Sequence, residues 1–215
     1  MPGVLKNFLG RKLIDQFTLL WFVIDALTHL TIEFGYCALC LAGIDPGDHE
    51  SFLGFIWNEY GKADSRWAVR DPLILSIELL TVLVGFLCIL GAYAVWYKKA
   101  YRHIIQAAVC VSELYGGWMT FAPEWLAGSP ALVARGPWRI GVYLFFMNFL
   151  WVWVPAILLW ESIVRITEAC DLAKIEHKDK IKMRDGGPSF YWIISMIAYL
   201  GLYVVLVPVI LIVAK

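Results

Sequence analysis

Long apolar runs alternate with short polar links along this chain. Five stretches are long and hydrophobic, at residues 17–44, 72–96, 104–125, 142–164 and 190–214. Each reaches or exceeds the roughly 20 residues that an α-helix needs to cross a bilayer. The pattern predicts an all-α membrane protein with five transmembrane helices. The polar start of the chain, residues 1–16, lacks the long apolar core of a cleaved leader, so the first span is expected to stay in place as an anchor.

Composition supports the membrane class. Of 215 residues, 60% are hydrophobic, 15% aromatic and only 17% charged, and the mean hydropathy is +0.68. Soluble domains carry about 45–50% apolar residues. Formal net charge is +0, and no basic run with interleaved aromatics points to nucleic acid. Lys and Arg are distributed unevenly between the two sets of links. Twelve (Lys6, Arg11, Lys12, Lys98, Lys99, Arg102, Arg165, Lys174, Lys178, Lys180, Lys182 and Arg184) fall on the side of the N-terminus, and six on the other. Basic links face the cytosol, so the N-terminus is expected there and the C-terminus on the lumenal side.

Against this apolar background a few polar groups stand out. The first span holds Asp25, His29 and Glu33 at strict four-residue spacing, the second Glu78 and Thr81, the third Glu113 and Tyr115, and the fourth Asn148 and Trp151. Positions i and i+4 lie one turn apart on one helix face, so His29 and Glu33 are expected to touch. Asp25 lies one turn nearer the cytosolic end and is expected to reach headgroups or Lys12. Each ionisable group at bilayer depth costs several kcal/mol by insertion scales unless it faces the bundle interior and pairs. The ionisable groups occupy spans one to four, so these four are expected to enclose a cavity and the fifth to lie outside. Cys37 and Cys40 form a C-x-x-C on a helix, which reads as small apolar packing residues. Neither a zinc spacing nor a disulfide framework is visible among the five cysteines, so no metal and no cofactor is expected.

Carboxyls and one imidazole in a dry, aromatic-lined cavity suit proton chemistry on an apolar substrate. A carboxyl sharing its proton with a histidine is a strong donor in a low-dielectric site. A second carboxylate on another helix, such as Glu78 on an opposite wall, acts as base, and the face of Trp151 steadies a developing cation. Protonation, a carbocation and loss of a proton amount to alkene isomerisation or cyclisation.

Several stretches together resemble the emopamil-binding protein family, the sterol Δ8–Δ7 isomerases of the EXPERA superfamily. They are LTHLTIE (27–33), WNEYGKADSR (57–66), IELLT (77–81), ELYGGWMTF (113–121) and FMNFLWVWVP (146–155). The resemblance covers residues 17–165 and implies a four-helix domain there, followed by a cytosolic basic loop (166–189) and an added helix (190–215). It implies a cofactor-independent enzyme of the endoplasmic reticulum membrane that moves the sterol 8(9) double bond to 7(8). By the same resemblance His29 and Glu33 donate the proton, Glu78 takes one back beside Thr81, and Asn148 and Trp151 stabilise the cation. Glu59, Asp64, Arg66 and Trp67 would cap the cavity. Cationic amphiphilic amines would mimic the cation and inhibit, and a homodimer is expected.

The departures from the family pattern are specific. Glu113 and Gly117 stand where the family has Gln and Asp, and Trp67 where it has Tyr. The isomerases' additional first span has no counterpart, and a span follows at the C-terminus instead. The extra carboxyl of Glu113 suggests a changed substrate. Two alternatives therefore stand beside the sterol isomerase: an isomerase or cyclase of another terpenoid in specialised metabolism, and a non-catalytic sterol- or amine-binding protein.

Overall fold

The computed structural model describes residues 2–178, with side chains from 12 to 173; the expected fifth span lies outside the described residues. Every element along the described chain is a helix, joined by short links. The first helix, α1 (Pro2–Thr28), continues through a π-helical segment (His29–Glu33) into α2 (Phe34–Leu41). After a short link come α3 (Phe52–Gly61), α4 (Pro72–Trp96), α5 (Arg102–Leu126) and α6 (Asn148–Lys178), the last preceded by a second π-helical segment (Arg139–Met147). One compact unit comprises Met1–Ala169.

Local chemistry sets the helix ends. Pro72 at the first helical position follows Asp71, whose carboxylate accepts from the amides of Leu73 (2.9 Å) and Ile74 (3.0 Å); this caps α4. Ser51 caps α3 in the same way through the amide of Gly54. The sequence pattern places a loop from residue 166, yet α6 runs on to Lys178. Arg165 pairs with Glu161 and Glu168, at i−4 and i+3, which carries helical geometry past the apolar run.

Among the described residues, three stretches are long and apolar enough to cross a membrane: Lys12–Leu41, Pro72–Trp96 and Arg139–Ala173. The third expected span differs. Its helix α5 has 25 residues, about 37 Å at 1.5 Å per residue, but it is not uniformly apolar. Its polar side chains turn inward: Gln106 donates to the Leu158 carbonyl (2.9 Å), Glu113 is buried, and Glu124 accepts from the amide of Ala131 (3.0 Å). Its outward positions are Val111, Trp118 and Trp125, all exposed. This inside-out arrangement is what a lipid-facing helix lining a polar interior requires.

Helices α1 and α4 run antiparallel in close contact, and glycines on α4 make the approach possible. A Cβ at Gly91 would lie 2.7 Å from the Phe22 ring, and one at Gly85 would lie 2.9 Å from the His29 Cβ. Small residues at such crossings let helices pack tightly in lipid. Phe22, Val84, Cys88, Val109 and Leu158 form one core cluster; Tyr36, Trp57, Trp67 and Ile74 form another at the opposite end.

Candidate active site

A cavity of about 210 Å³ lies among these helices. His29, Ile32 and Glu33 line it from the first helix, Trp57 and Tyr60 from α3, and Trp67 from the following loop. Glu78 and Thr81 come from α4, Glu113 and Thr120 from α5, and Asn148 and Trp151 from α6.

The π-helical segment shapes the acid side. In a regular α-helix, residues four apart drift by about 40° around the axis. The wider turn at His29–Glu33 offsets that drift, and such π-bulges recur at functional sites. His29 Nδ1 is hydrogen-bonded to Glu33 Oε2. On the other edge of the ring, Nε2 approaches Asp25 Oδ1 to 3.2 Å. His29 is therefore held between two carboxyl groups, with 1% of its side chain exposed.

Asp25 does not reach headgroups or Lys12, as its position near the span end suggests. It is fully buried behind the cavity wall. Its Oδ1 accepts from Trp151 Nε1 at 2.9 Å and its Oδ2 from Cys88 Sγ at 3.2 Å. Packing of α1 against both α4 and α6 supplies these donors, and no local spacing reveals them.

Glu78 and Glu33 are also closer than two opposite walls. Gly85 packs on His29 and Leu30, so in antiparallel helices Glu78, two turns earlier, falls about one turn beyond Glu33, on the same cavity. The Glu33 carboxyl bears on that of Glu78. Thr81 Oγ1 donates to Glu78 Oε2 at 3.1 Å and to the Glu78 carbonyl at 2.9 Å, as the i, i+3 spacing suggests.

The facing wall is aromatic and amide. Asn148 Nδ2 donates to Tyr60 Oη (2.7 Å) and to the carbonyls of Tyr143 (2.9 Å) and Leu144 (3.0 Å), both in the π-helical segment before it. With its amide hydrogens committed, Asn148 offers a ligand its carbonyl oxygen, an acceptor. Trp57 and Trp67 stack at 5.2 Å with an interplanar angle of 12°, and Tyr60 sits edge-on to Trp67 at 5.3 Å. Burial pushes the Tyr60 hydroxyl pKa above its usual value.

The loop residues divide. Trp67 is on the cavity wall, whereas Asp64 and Arg66 lie buried behind it. Arg66 donates to both Asp64 oxygens (2.9 and 2.6 Å) and to the Thr120 carbonyl (2.8 Å). Burial opposes the guanidinium charge, and the Asp64 carboxylate outweighs it, so the Arg66 pKa moves up. Glu59 lies away from the cavity, half-buried at the surface and paired with Lys62, whose ammonium lowers its pKa. Tyr115 does not reach the cavity either. It is 56% exposed, because two residues from Glu113 is about 200° around the helix.

Asp25, His29 and Glu113 are the one group among the described residues whose ligating atoms all lie within 4.8 Å of one another, as a metal ion would need. Trp151 and Cys88 already engage Asp25, and Glu33 engages His29, so the set is built into a protein hydrogen-bond network.

A profile of the EBP family, described as EXPERA (expanded EBP superfamily), matches residues 52–162. The chain belongs to this family. Among curated relatives, an isomeliandiol synthase of Melia azedarach is 32% identical over 174 residues, covering 80% of each chain. A probable 3-beta-hydroxysteroid-Delta(8),Delta(7)-isomerase of Oryza sativa is 31% identical over 167 residues, covering 76% of this chain and 74% of the relative. The guinea pig (Cavia porcellus) 3-beta-hydroxysteroid-Delta(8),Delta(7)-isomerase is 33% identical over 144 residues, covering 66% and 62%. The expected resemblance is thereby established, and with it an all-α membrane protein whose first-matched relatives share most of its length.

Proposed function

We propose that this protein is an intramembrane isomerase that shifts a ring double bond of a sterol from Δ8 to Δ7 by protonation and deprotonation. The observation that carries the reading is the adjacency of Glu33 and Glu78 on one cavity, with His29 bonded to Glu33 and the Trp151 ring nearby. Sterol isomerases among the relatives support the substrate class.

The chemistry balances without an outside reagent. Glu33, sharing its proton with His29, gives a proton to C9, and the C8=C9 π electrons form the new C9–H bond. The positive charge left on C8 faces the Trp151 ring and the Asn148 carbonyl oxygen. Glu78 removes a proton from C7, and that C–H electron pair becomes the 7(8) double bond. Because Glu78 lies beside Glu33, the proton returns to the donor without crossing bulk water. General acid and base groups of this kind each contribute typically 10²–10⁴-fold.

At about 210 Å³ the cavity is smaller than the roughly 300–1,000 Å³ usual for drug-sized ligands. It accommodates the reacting rings, with the rest of the sterol extending toward lipid. The three carboxyls of Glu33, Glu78 and Glu113 and the Asn148 carbonyl around this volume suit cationic amphiphilic amines as inhibitors. The family resemblance supports an endoplasmic reticulum membrane location, and the distribution of Lys and Arg supports a cytosolic N-terminus.

A plant-type terpenoid reaction is the second reading, favoured by the isomeliandiol synthase relative and by the carboxyl of Glu113. The deciding experiment presents purified protein in nanodiscs with a Δ8-sterol. A Δ7-sterol product supports the sterol reading. Tight binding with no product over hours removes it.

A further inference from the structure

Glu113 is a second acid in the cavity, and the reaction above leaves it without a task. It lines the cavity, its side chain is only 6% exposed, and both carboxyl oxygens are buried without a hydrogen-bond donor. Its neighbours explain why. The polar groups beside it are Asp25, another carboxyl whose own oxygens already accept from Trp151 and Cys88, and the indole of Trp21, whose buried N–H makes no well-aligned hydrogen bond. Among the described residues, no Lys or Arg lines the cavity. A buried polar group left unpaired is costly, more so at bilayer depth, and marks a place where something else binds.

Position narrows what binds. The His29 ring separates two carboxyl pairs. Glu33 lies on its Nδ1 side with Glu78 nearby, and Asp25 lies on its Nε2 side with Glu113 within 4.8 Å of Asp25. A group on Glu113 therefore sits within about one ring of the atom protonated by Glu33. An ordinary Δ8-sterol offers no polar atom there, since its oxygen is on ring A, remote from the 8,9 bond. Glu113 would stay unpaired through the whole cycle. A carboxyl group offers an acceptor oxygen and, when it carries a proton, a donor as well. A hydroxyl matches both roles.

We propose that Glu113 is the docking site for a hydroxyl group of the substrate, so that the natural substrate is a polycyclic terpenoid or sterol alcohol oxygenated within one ring of the migrating double bond. This rests on the isomerase reading for which bond migrates, and not for the existence of the hydroxyl site.

The test measures binding and turnover separately. The probes are 5α-cholest-8-en-3β-ol and its derivatives hydroxylated at carbon 7, 11 or 15. Binding is read by quenching of tryptophan fluorescence, since Trp57, Trp67 and Trp151 line the cavity. The wild-type protein binds at least one hydroxylated probe ~10-fold or more tightly than the parent, the scale of one net hydrogen bond. Glu113→Leu removes that preference. It also removes an unpaired buried carboxyl, so the variant is expected to fold. Glu113→Gln, with a donor and an acceptor in the same place, keeps the preference. Equal binding of all probes by the wild type, or a preference that survives Glu113→Leu, overturns the proposal. Absence of any Δ7 product alongside a Glu113-dependent preference overturns the sterol reaction and leaves the hydroxyl site standing.

Discussion

The indole N–H of Trp151 is bonded to the carboxylate of Asp25 at 2.9 Å, across 126 positions of sequence. The same carboxylate approaches the His29 imidazole to 3.2 Å. One buried side chain thus ties the proposed proton donor to the proposed cation-stabilising ring. Asp25→Ala leaves the Trp151 N–H without its acceptor and His29 without one of its neighbours. An orphaned buried donor costs about 1–3 kcal/mol. Asp25→Asn keeps an oxygen for Trp151, so its melting temperature in nanodiscs should fall less than that of Asp25→Ala. Equal melting of Asp25→Ala and wild type would remove Asp25 from this supporting role.

The donor and the base are separable by substitution. Glu33→Gln keeps the shape of the side chain and discards its transferable proton. Turnover of a Δ8-sterol should drop at least ~100-fold, the low end of general acid catalysis, while the dissociation constant stays within a few-fold. Glu78→Gln should lower turnover on a similar scale. If either variant retains more than half of wild-type turnover, that residue has no part in the proton transfers.

Gly85 sets the distance between α4 and the π-helical segment. A methyl there meets the His29 Cβ at 2.9 Å and the Leu30 side chain at 2.9 Å. Gly85→Ala should move the helices apart and cost about 1–3 kcal/mol, as overpacking usually does. Because this contact also carries His29, the partner of Glu33, activity should fall further than stability alone explains. Thermal melting and initial rates on the same preparation check this; full activity in a destabilised protein would show the spacing to be uncritical.

Asp64 and Arg66 form a buried bidentate pair that fastens the loop to the Thr120 carbonyl of α5. Arg66→Leu strands the Asp64 charge and should destabilise by about 3–5 kcal/mol. Replacing both residues by Leu should recover part of that loss. A double variant melting below the Arg66→Leu single variant would contradict this.

The sequence carried the parts of the site that depend on local spacing. The His29–Glu33 bond and the Glu78–Thr81 contact follow from i, i+4 and i, i+3 positions on helices. The enclosure of the cavity by the first four apolar stretches follows from where the ionisable residues fall. Contacts made by helices meeting in space were not legible. Asp25 looks like a headgroup contact because its partners Cys88 and Trp151 lie 63 and 126 residues away. Tyr60, which receives the Asn148 amide, gave no signal among many tyrosines. The adjacency of Glu33 and Glu78 depends on the antiparallel register fixed at Gly85. Tyr115 was legible and was misread, since a spacing of two from Glu113 already places it on the opposite face.

Proton transfer to the alkene is the central claim, and the site of deuterium in the product tests it most directly. The protein is equilibrated in heavy water and given less than one equivalent of a Δ8-sterol, so that each molecule turns over once. The account predicts a Δ7-sterol carrying one deuterium at C9. A Δ7 product with no deuterium at C9 under these conditions would contradict protonation from the Glu33–His29 pair.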